Sequence, residues 1–274
     1  MTDFSKAVVL GGSGLIGSRV VERLRAAGFQ VLAASRRTGV NALTGEGLHR
    51  AFADVDVVID TSDVHSFDQE TLHNFFTVAG ENVALAEAAA GVKHHVTLSI
   101  VGVDRIQGNP YYTAKLAQEE AAQRSGVPYT IARSTQFYEF FPTIAGGFTK
   151  GSVVGLPNAL LQPVAADDVA KALAEIAIAP AKNGPAFIAG PERAPFEEWL
   201  RRVFKLSVDT RSVEVDLAAT WFGAPLETDS IVPARPDYIG HLTLEKWFET
   251  AGAKQALLGD RYAEVQLPTK GERT

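Results

Sequence analysis

Not one of the 274 residues is cysteine, which removes disulfides, thiolate nucleophiles and cysteine-bound zinc from consideration. Long runs of lysine or arginine are missing too, and the formal net charge is -6, so a partner held through its phosphates is disfavoured and no nucleic acid is expected. No window of about 18 uninterrupted apolar residues occurs. The first residues, Met1 to Lys6, carry no basic segment leading into a cleavable hydrophobic stretch. Neither export nor membrane insertion is indicated, and the cytoplasm is the simplest expectation. Ligand spacings such as H-E-x-x-H are absent, the adjacent His94 and His95 included, and no metal is expected.

What is present is ordinary globular composition, 46% apolar and 21% charged, in a chain long enough for one large α/β unit with a smaller lobe. Residues 7–10 predict a strand, 15–27 an amphipathic helix stopped by Gly28, 30–34 a second strand, 43–53 a short helix and 55–60 a third strand. A helix over 75–90 stopped by Gly91, a strand over 96–101, a helix over 111–124 and a strand over 129–132 continue the alternation. That rhythm implies a Rossmann-type, doubly wound parallel sheet. Gly146, Gly147, Gly151, Gly155 and Pro157 then break the pattern, before helices over 167–178, 196–204 and 243–250 and a short strand over 186–188. Residues 1–150 are expected to form a dinucleotide-binding domain and 151–274 mainly a substrate lobe, with 163–190 returning to the first domain.

Gly11-Gly12-Ser13-Gly14-Leu15-Ile16-Gly17 lies between the first strand and the first helix and satisfies both G-x-G-x-x-G and G-x-x-G-x-x-G. Glycine tolerates the turn's backbone angles, lets a pyrophosphate approach the main chain and lets helix and strand pack closely. The helix then turns its free N–H groups and positive dipole end toward the phosphates. At the end of the second strand an acid would bind a ribose 2'-hydroxyl, whereas arginine would receive a 2'-phosphate. This chain has Ser35-Arg36-Arg37-Thr38 there, so NADP(H) is expected in preference to NAD. The plainer alternative is a pair of solvated arginines on a loop.

Tyr111 and Lys115 are four residues apart on a predicted helix and share a face, while Ser99 lies at the carboxyl end of the preceding strand, where ligands of parallel sheets bind. A nearby ammonium lowers a tyrosine's pKa and suits it to proton transfer. These motifs, with Leu98 to Asp104, Pro110 to Leu116, Val127 to Phe137 and Pro163 to Ala170, resemble the short-chain dehydrogenases/reductases, specifically the atypical, NmrA-like NAD(P)-binding branch. The resemblance implies that Tyr111 donates or accepts a proton, that Lys115 holds the nicotinamide ribose and tunes the tyrosine, and that Ser99 orients the reacting carbonyl. It further implies that Ser134, Thr135, Gln136 and Phe137 lie near the nicotinamide. With Thr61 and Ser62 after the third strand, the cofactor set comprises Gly11, Ser13, Gly14, Leu15, Ile16, Gly17, Ser35, Arg36, Arg37, Thr61, Ser62, Lys115, Ser134, Thr135 and Phe137. The family's helix asparagine has two candidates, Asn74 and Asn82, and Tyr112 substitutes for Tyr111 if the helix is rotated.

Phe137, Tyr138 and Phe141 belong to a dense aromatic stretch that either joins the core or walls an apolar substrate pocket; Phe140 and Phe148 share it. Asp54, Asp56, Asp60 and Asp63 read as solvated loop acids, and Asp167-Asp168 as a helix cap. Three functions follow. The first is NADPH-dependent reduction of a carbonyl or activated double bond on a small, fairly apolar molecule. The second is NADP(H) sensing without turnover, and the third a non-redox isomerase or lyase.

Overall fold

The structure, a computed structural model, describes residues 4–64, 66 and 68–258. In chain order its elements are β1 (Lys6–Leu10), α1 (Leu15–Ala26), β2 (Gln30–Ala34), α2 (Leu48–Ala51), β3 (Val57–Asp60), α3 (Gln69–Ala90), β4 (His94–Ile100), α4 (Pro110–Arg124) and β5 (Tyr129–Ser134). There follow α5 (Phe141–Phe148), β6 (Thr149–Lys150), β7 (Val153–Leu156), β8 (Leu160–Leu161), α6 (Ala166–Ile178), β9 (Gly184–Ala189) and β10 (Ala194–Pro195). The last are α7 (Phe196–Ser207), β11 (Ser212–Val215), β12 (Tyr238–Ile239), α8 (Leu244–Phe248) and α9 (Ala251–Leu258).

Side chains alternate across a strand, and the two faces of β1 show what that does. Ala7 and Val9 join the cluster formed with α1 and α6, whereas Val8 and Leu10 join the cluster under α2 and α3. Neighbouring strands obey the same alternation, giving a parallel seven-stranded sheet in the order β12-β9-β5-β4-β3-β1-β2, a Rossmann-type fold. On one face α3 and α4 pack closely: a Cβ on Gly80 would lie 3.1 Å from the Ala121 Cβ. Because the chain steps from β1 to β2 and then back past β1 to β3, a crevice opens at the carboxyl ends of β1 and β3. Among the described residues no helix is long and apolar enough to cross a membrane.

Several elements differ from the sequence expectation. The helix expected over 43–53 shrinks to α2, because Gly45 and Gly47 both take φ of 76° ahead of it. α3 begins six residues earlier than expected, capped by Asp68, whose carboxylate accepts from the Thr71 backbone N–H at 2.8 Å. Despite Gly146 and Gly147, Phe141, Ile144, Ala145 and Phe148 carry an i, i+3, i+4, i+7 apolar stripe into the lobe core, and α5 forms. Within residues 163–190, α6 packs against α1 and β9 joins the seven-stranded sheet, to which β12 adds a further strand not expected from the sequence. The rest of the later chain packs as two small sheets, β11-β7-β6 and β10-β8, around Trp199, Trp221 and Trp247.

The acids also move from their expected roles. Asp60 is buried, and Asp56 accepts from the Ser5 and Lys6 backbone N–H groups and from Lys93. Asp167 pairs with Arg19 at 3.0 Å, and Asp168 accepts from the His241 and Leu242 N–H groups, both at 2.9 Å. The first turn of α6 is instead met by Glu139, whose carboxylate takes the Ala166 N–H at 3.2 Å.

Candidate active site

A cavity of about 820 Å³ follows the carboxyl ends of the central strands, and it brings the glycine turn, the arginine turn, Tyr111, Lys115 and an aromatic wall together. Ser13, Gly14, Leu15 and Ile16 line one end. Gly11 takes φ of 69°, and a Cβ on it would press within 2.7 Å of the Thr61 carbonyl oxygen. Gly17 does not line the cavity: its task is packing, since a Cβ there would fall 2.7 Å from Thr61 Oγ1. Gly14 is the N-cap of α1 and supplies no side-chain cap, so the helix's first N–H groups meet no capping side chain. Thr61 donates its hydroxyl to the Leu10 carbonyl at 2.8 Å, and Ser62 donates N–H and O–H to Asp60, so their side chains shape the turn from behind.

Past β2, Ser35 is half-buried, and Arg36 and Arg37 are exposed on one 3₁₀ turn; Ser35 and Arg36 line the cavity. No carboxylate among the described residues pairs with either guanidinium. Sequence reading missed a third arginine: Arg50, from α2, brings an Nη to 3.7 Å from where a Cβ on Gly39 would stand. Nothing in the linear order announces it, because the approach depends on the path of residues 39–47. Asn82 donates to the Ala42 and Leu43 carbonyls, both at 3.0 Å, and so braces this loop instead of serving as a catalytic amide. Asn74 lines the cavity.

At the other end, Asn109 caps α4 by accepting from the Tyr112 N–H at 3.2 Å, and Pro110 opens the helix. Tyr111 therefore sits in the first turn, its hydroxyl donating to Asp63 Oδ1 at 3.3 Å and its ring edge-on to Phe76 at 5.7 Å. One turn on, the Lys115 ammonium stands 4.7 Å from the centre of the same Phe76 ring. It is buried and donates to the Leu98 carbonyl at 2.7 Å and to Gln118 Oε1, and Gln118 in turn donates to Asp60 at 2.8 Å. Burial lowers the Lys115 pKa, while Asp60, Asp63 and Glu119 pull it upward. Gln118, three residues from Lys115 on the same face, and Asp60, expected as a solvated loop acid, are the partners that the sequence expectation leaves out.

Ser99 is corrected most sharply. Its hydroxyl donates to Glu119 Oε1 at 2.5 Å, and the same carboxylate receives Arg133 through Nε at 3.0 Å and Nη2 at 2.7 Å, with Asp104 holding the far side of Arg133 at 2.6 Å. Ser99 lines the cavity, but its proton is thus engaged by the Glu119–Arg133 pair and not turned toward a ligand. Tyr112, the expected substitute for Tyr111, is fully buried, and burial pushes its phenol far above the ordinary value despite Trp221 and Gln136 donating to its oxygen.

Ser134, Thr135, Gln136 and Phe137 all reach the cavity wall, although Ser134 donates to the Thr135 carbonyl at 3.0 Å and Thr135 to the Gln162 carbonyl at 2.6 Å. Tyr138 and Phe141 do not line the cavity. Both are buried in the lobe core, stacked 6.2 Å apart, with the Tyr138 hydroxyl donating to the Leu242 carbonyl. The wall is built from Phe137 and Phe140 of the expected stretch, joined by Phe75, Trp221 and Phe222. The α5 stripe explains the change: it turns Phe141 inward.

A family model described as NAD(P)H-binding matches residues 11–180. The curated (4-alkanoyl-5-oxo-2,5-dihydrofuran-3-yl)methyl phosphate reductase of Streptomyces griseus is 31% identical over 236 residues, covering 78% of this chain and 79% of its own. Among solved structures, the NADP complex of dTDP-4-dehydrorhamnose reductase from Bacillus anthracis has a TM-score of 0.64 at 15% identity, covering 83% of this chain and 88% of that one. The NADP(H) complex of triphenylmethane reductase from Citrobacter sp. has a TM-score of 0.59 at 21% identity, over 78% and 79% of the two chains. With the glycine turn at the sheet's switch point and the family match running over residues 11–180, the chain belongs to the NAD(P)H-binding family.

Proposed function

We propose that the chain is an NADPH-dependent reductase of a carbonyl or activated double bond on a small, fairly apolar molecule. The observation that carries this reading is a single cavity joining an uncapped helix N-terminus and unpaired Arg36 to Tyr111, Lys115 and an aromatic wall. The residues present fit a dinucleotide: the Gly11 cradle is one a Cβ would fill, and neither arginine of the turn is ion-paired among the described residues. Gly11, Ser13, Gly14, Leu15 and Ile16 would hold the pyrophosphate, and Ser35, Arg36 and Arg37 the 2'-phosphate. Thr61, Ser62, Ser134, Thr135 and Phe137 would border the remainder.

A bound nicotinamide would supply the hydride. Tyr111 gives its proton to the oxygen that becomes negative, and Lys115 places a positive charge beside that transfer. The lobe after residue 150, through Trp221 and Phe222, closes the apolar side of the cavity and excludes water. A relative that reduces a phosphorylated furanone supports reduction as the chemistry, and its substrate remains its own. Mixing the protein with NADPH and a panel of ketones, aldehydes and quinones, while following absorbance of the reduced nicotinamide, tests the proposal: consumption dependent on one of them is expected, and none across the panel would reject it. The engagement of Lys115 by Leu98 and Gln118, and of Ser99 by Glu119, favours a second reading, binding of NADP(H) without turnover.

A further inference from the structure

If Ser99 is occupied, another group must meet the substrate's oxygen; among the described residues two cavity-wall side chains carry a buried atom without a hydrogen-bond partner, Ser35 at the arginine turn and Gln136 beside the aromatic wall, and only Gln136 stands at the substrate end. Gln136 is 5% exposed; its Nε2 lies 3.3 Å from the Tyr112 hydroxyl oxygen, and its Oε1 is buried with no partner among the described residues. The Trp221 indole also donates to that same hydroxyl oxygen, at 3.2 Å. Two N–H donors therefore converge on Tyr112, whose own proton meets no acceptor among the described residues, while an amide oxygen beside it meets no donor there. A phenol held protonated by burial has a hydrogen to give, and an indole only donates. Turning the carboxamide by 180° settles both: Trp221 donates to Tyr112, Tyr112 donates to Gln136 Oε1, and the amide NH₂ is what remains unpaired.

We infer that the Gln136 carboxamide is the hydrogen-bond donor for the substrate's carbonyl oxygen, aimed by the relay Trp221 to Tyr112 to Gln136. Donors in a chain polarise one another, so the terminal NH₂ is a better donor than an isolated amide. The relay also joins the two halves of the molecule, for Asn109, the cap of α4, donates its amide to the Trp221 carbonyl at 3.1 Å. Gln136 thereby takes the place sequence reading assigned to Ser99. The amide selects ligands that carry a carbonyl over equally apolar ones that do not, because an unpaired buried donor is costly and a hydrocarbon leaves it so.

The inference rests on the reductase reading for its role in turnover, but its recognition step is tested without turnover. The full chain is loaded with NADP⁺ and titrated with acetophenone and with ethylbenzene, following Trp fluorescence. Wild type is expected to bind the ketone about tenfold more tightly, and Gln136→Leu to lose that preference while keeping NADP⁺ affinity and melting temperature. Tyr112→Phe, which unhooks the amide, is expected to fall between them. In Gln136→Glu the preference should survive only at low pH, where the carboxyl carries a proton to donate, a dependence that a merely structural role would not produce. Equal binding of ketone and hydrocarbon by wild type, a preference kept by Gln136→Leu, or a pH-independent Gln136→Glu would each overturn the assignment. Ketone selectivity without NADPH consumption would leave Gln136 standing and remove the reductase reading alone.

Discussion

The two ends of the cavity are built on different principles. At the end proposed for the nucleotide the parts on offer are main-chain N–H groups, glycines that keep side chains out, and arginines with no carboxylate partner among the described residues. At the chemical end the working parts are side chains, and most are already hydrogen-bonded inside the protein: Lys115 to Leu98 and Gln118, Ser99 to Glu119, Tyr112 to Trp221 and Gln136. A backbone site follows from where glycine is, because geometry alone makes it. A side-chain site depends on what each group's neighbours leave unused.

The largest test of this contrast is Tyr111→Phe. General acid help is commonly about 100- to 10,000-fold, so turnover of an identified substrate should fall by that order with NADPH affinity nearly unchanged; full turnover in steady-state kinetics would move Tyr111 out of the reaction. Next comes Glu119→Ala, which leaves Arg133 with Asp104 alone and releases Ser99. Removing one partner of a buried ion pair typically costs about 3 to 5 kcal/mol, so urea unfolding should show a loss of that size. A small loss would mean the Ser99 network is less important than its geometry suggests.

Arg36→Ala with Arg37→Ala probes the nucleotide end. Each charge-assisted contact is worth about 1.5 to 3 kcal/mol, so calorimetry should show the NADPH preference over NADH reduced roughly tenfold or more. A preference that persists would point to Arg50. The smallest effect is expected at the foot of β1, where burial alone would raise the Asp56 pKa but Lys93 and the Ser5 and Lys6 N–H groups hold it at about 2. A folded-state pKa below the unfolded one, 3.8, means stability present above that value and lost as pH falls toward 2. Asp56→Asn should therefore lower the melting temperature modestly at pH 7 and hardly at all at pH 2.

Much of the architecture was open to reading from residue order. β2 matches its expected bounds, and α1, α4 and α6 differ by a residue at an end: α1 and α6 have a clear apolar period, and α1 and α4 are marked by Gly14 and Gly28 and by Asn109 and Pro110. α5 and β12 were missed for opposite reasons: two glycines hid a helix held by burial, and two residues of strand have too little pattern to show.

By itself the sequence determined the doubly wound sheet, the glycine turn at Gly11 to Gly17 and the Tyr111–Lys115 helix face, since local periodicity and glycine's conformational freedom act over a few neighbouring residues. Only the tertiary structure decided that Ser99 belongs to Glu119 and Arg133, that Phe141 faces inward while Phe140 and Phe222 wall the cavity, and that Gln136 keeps an unpaired end. Those outcomes turn on hydrogen-bond satisfaction between residues up to 109 positions apart, as Trp221 and Tyr112 are. A polar group's availability is settled by its partners in space, which residue order does not specify.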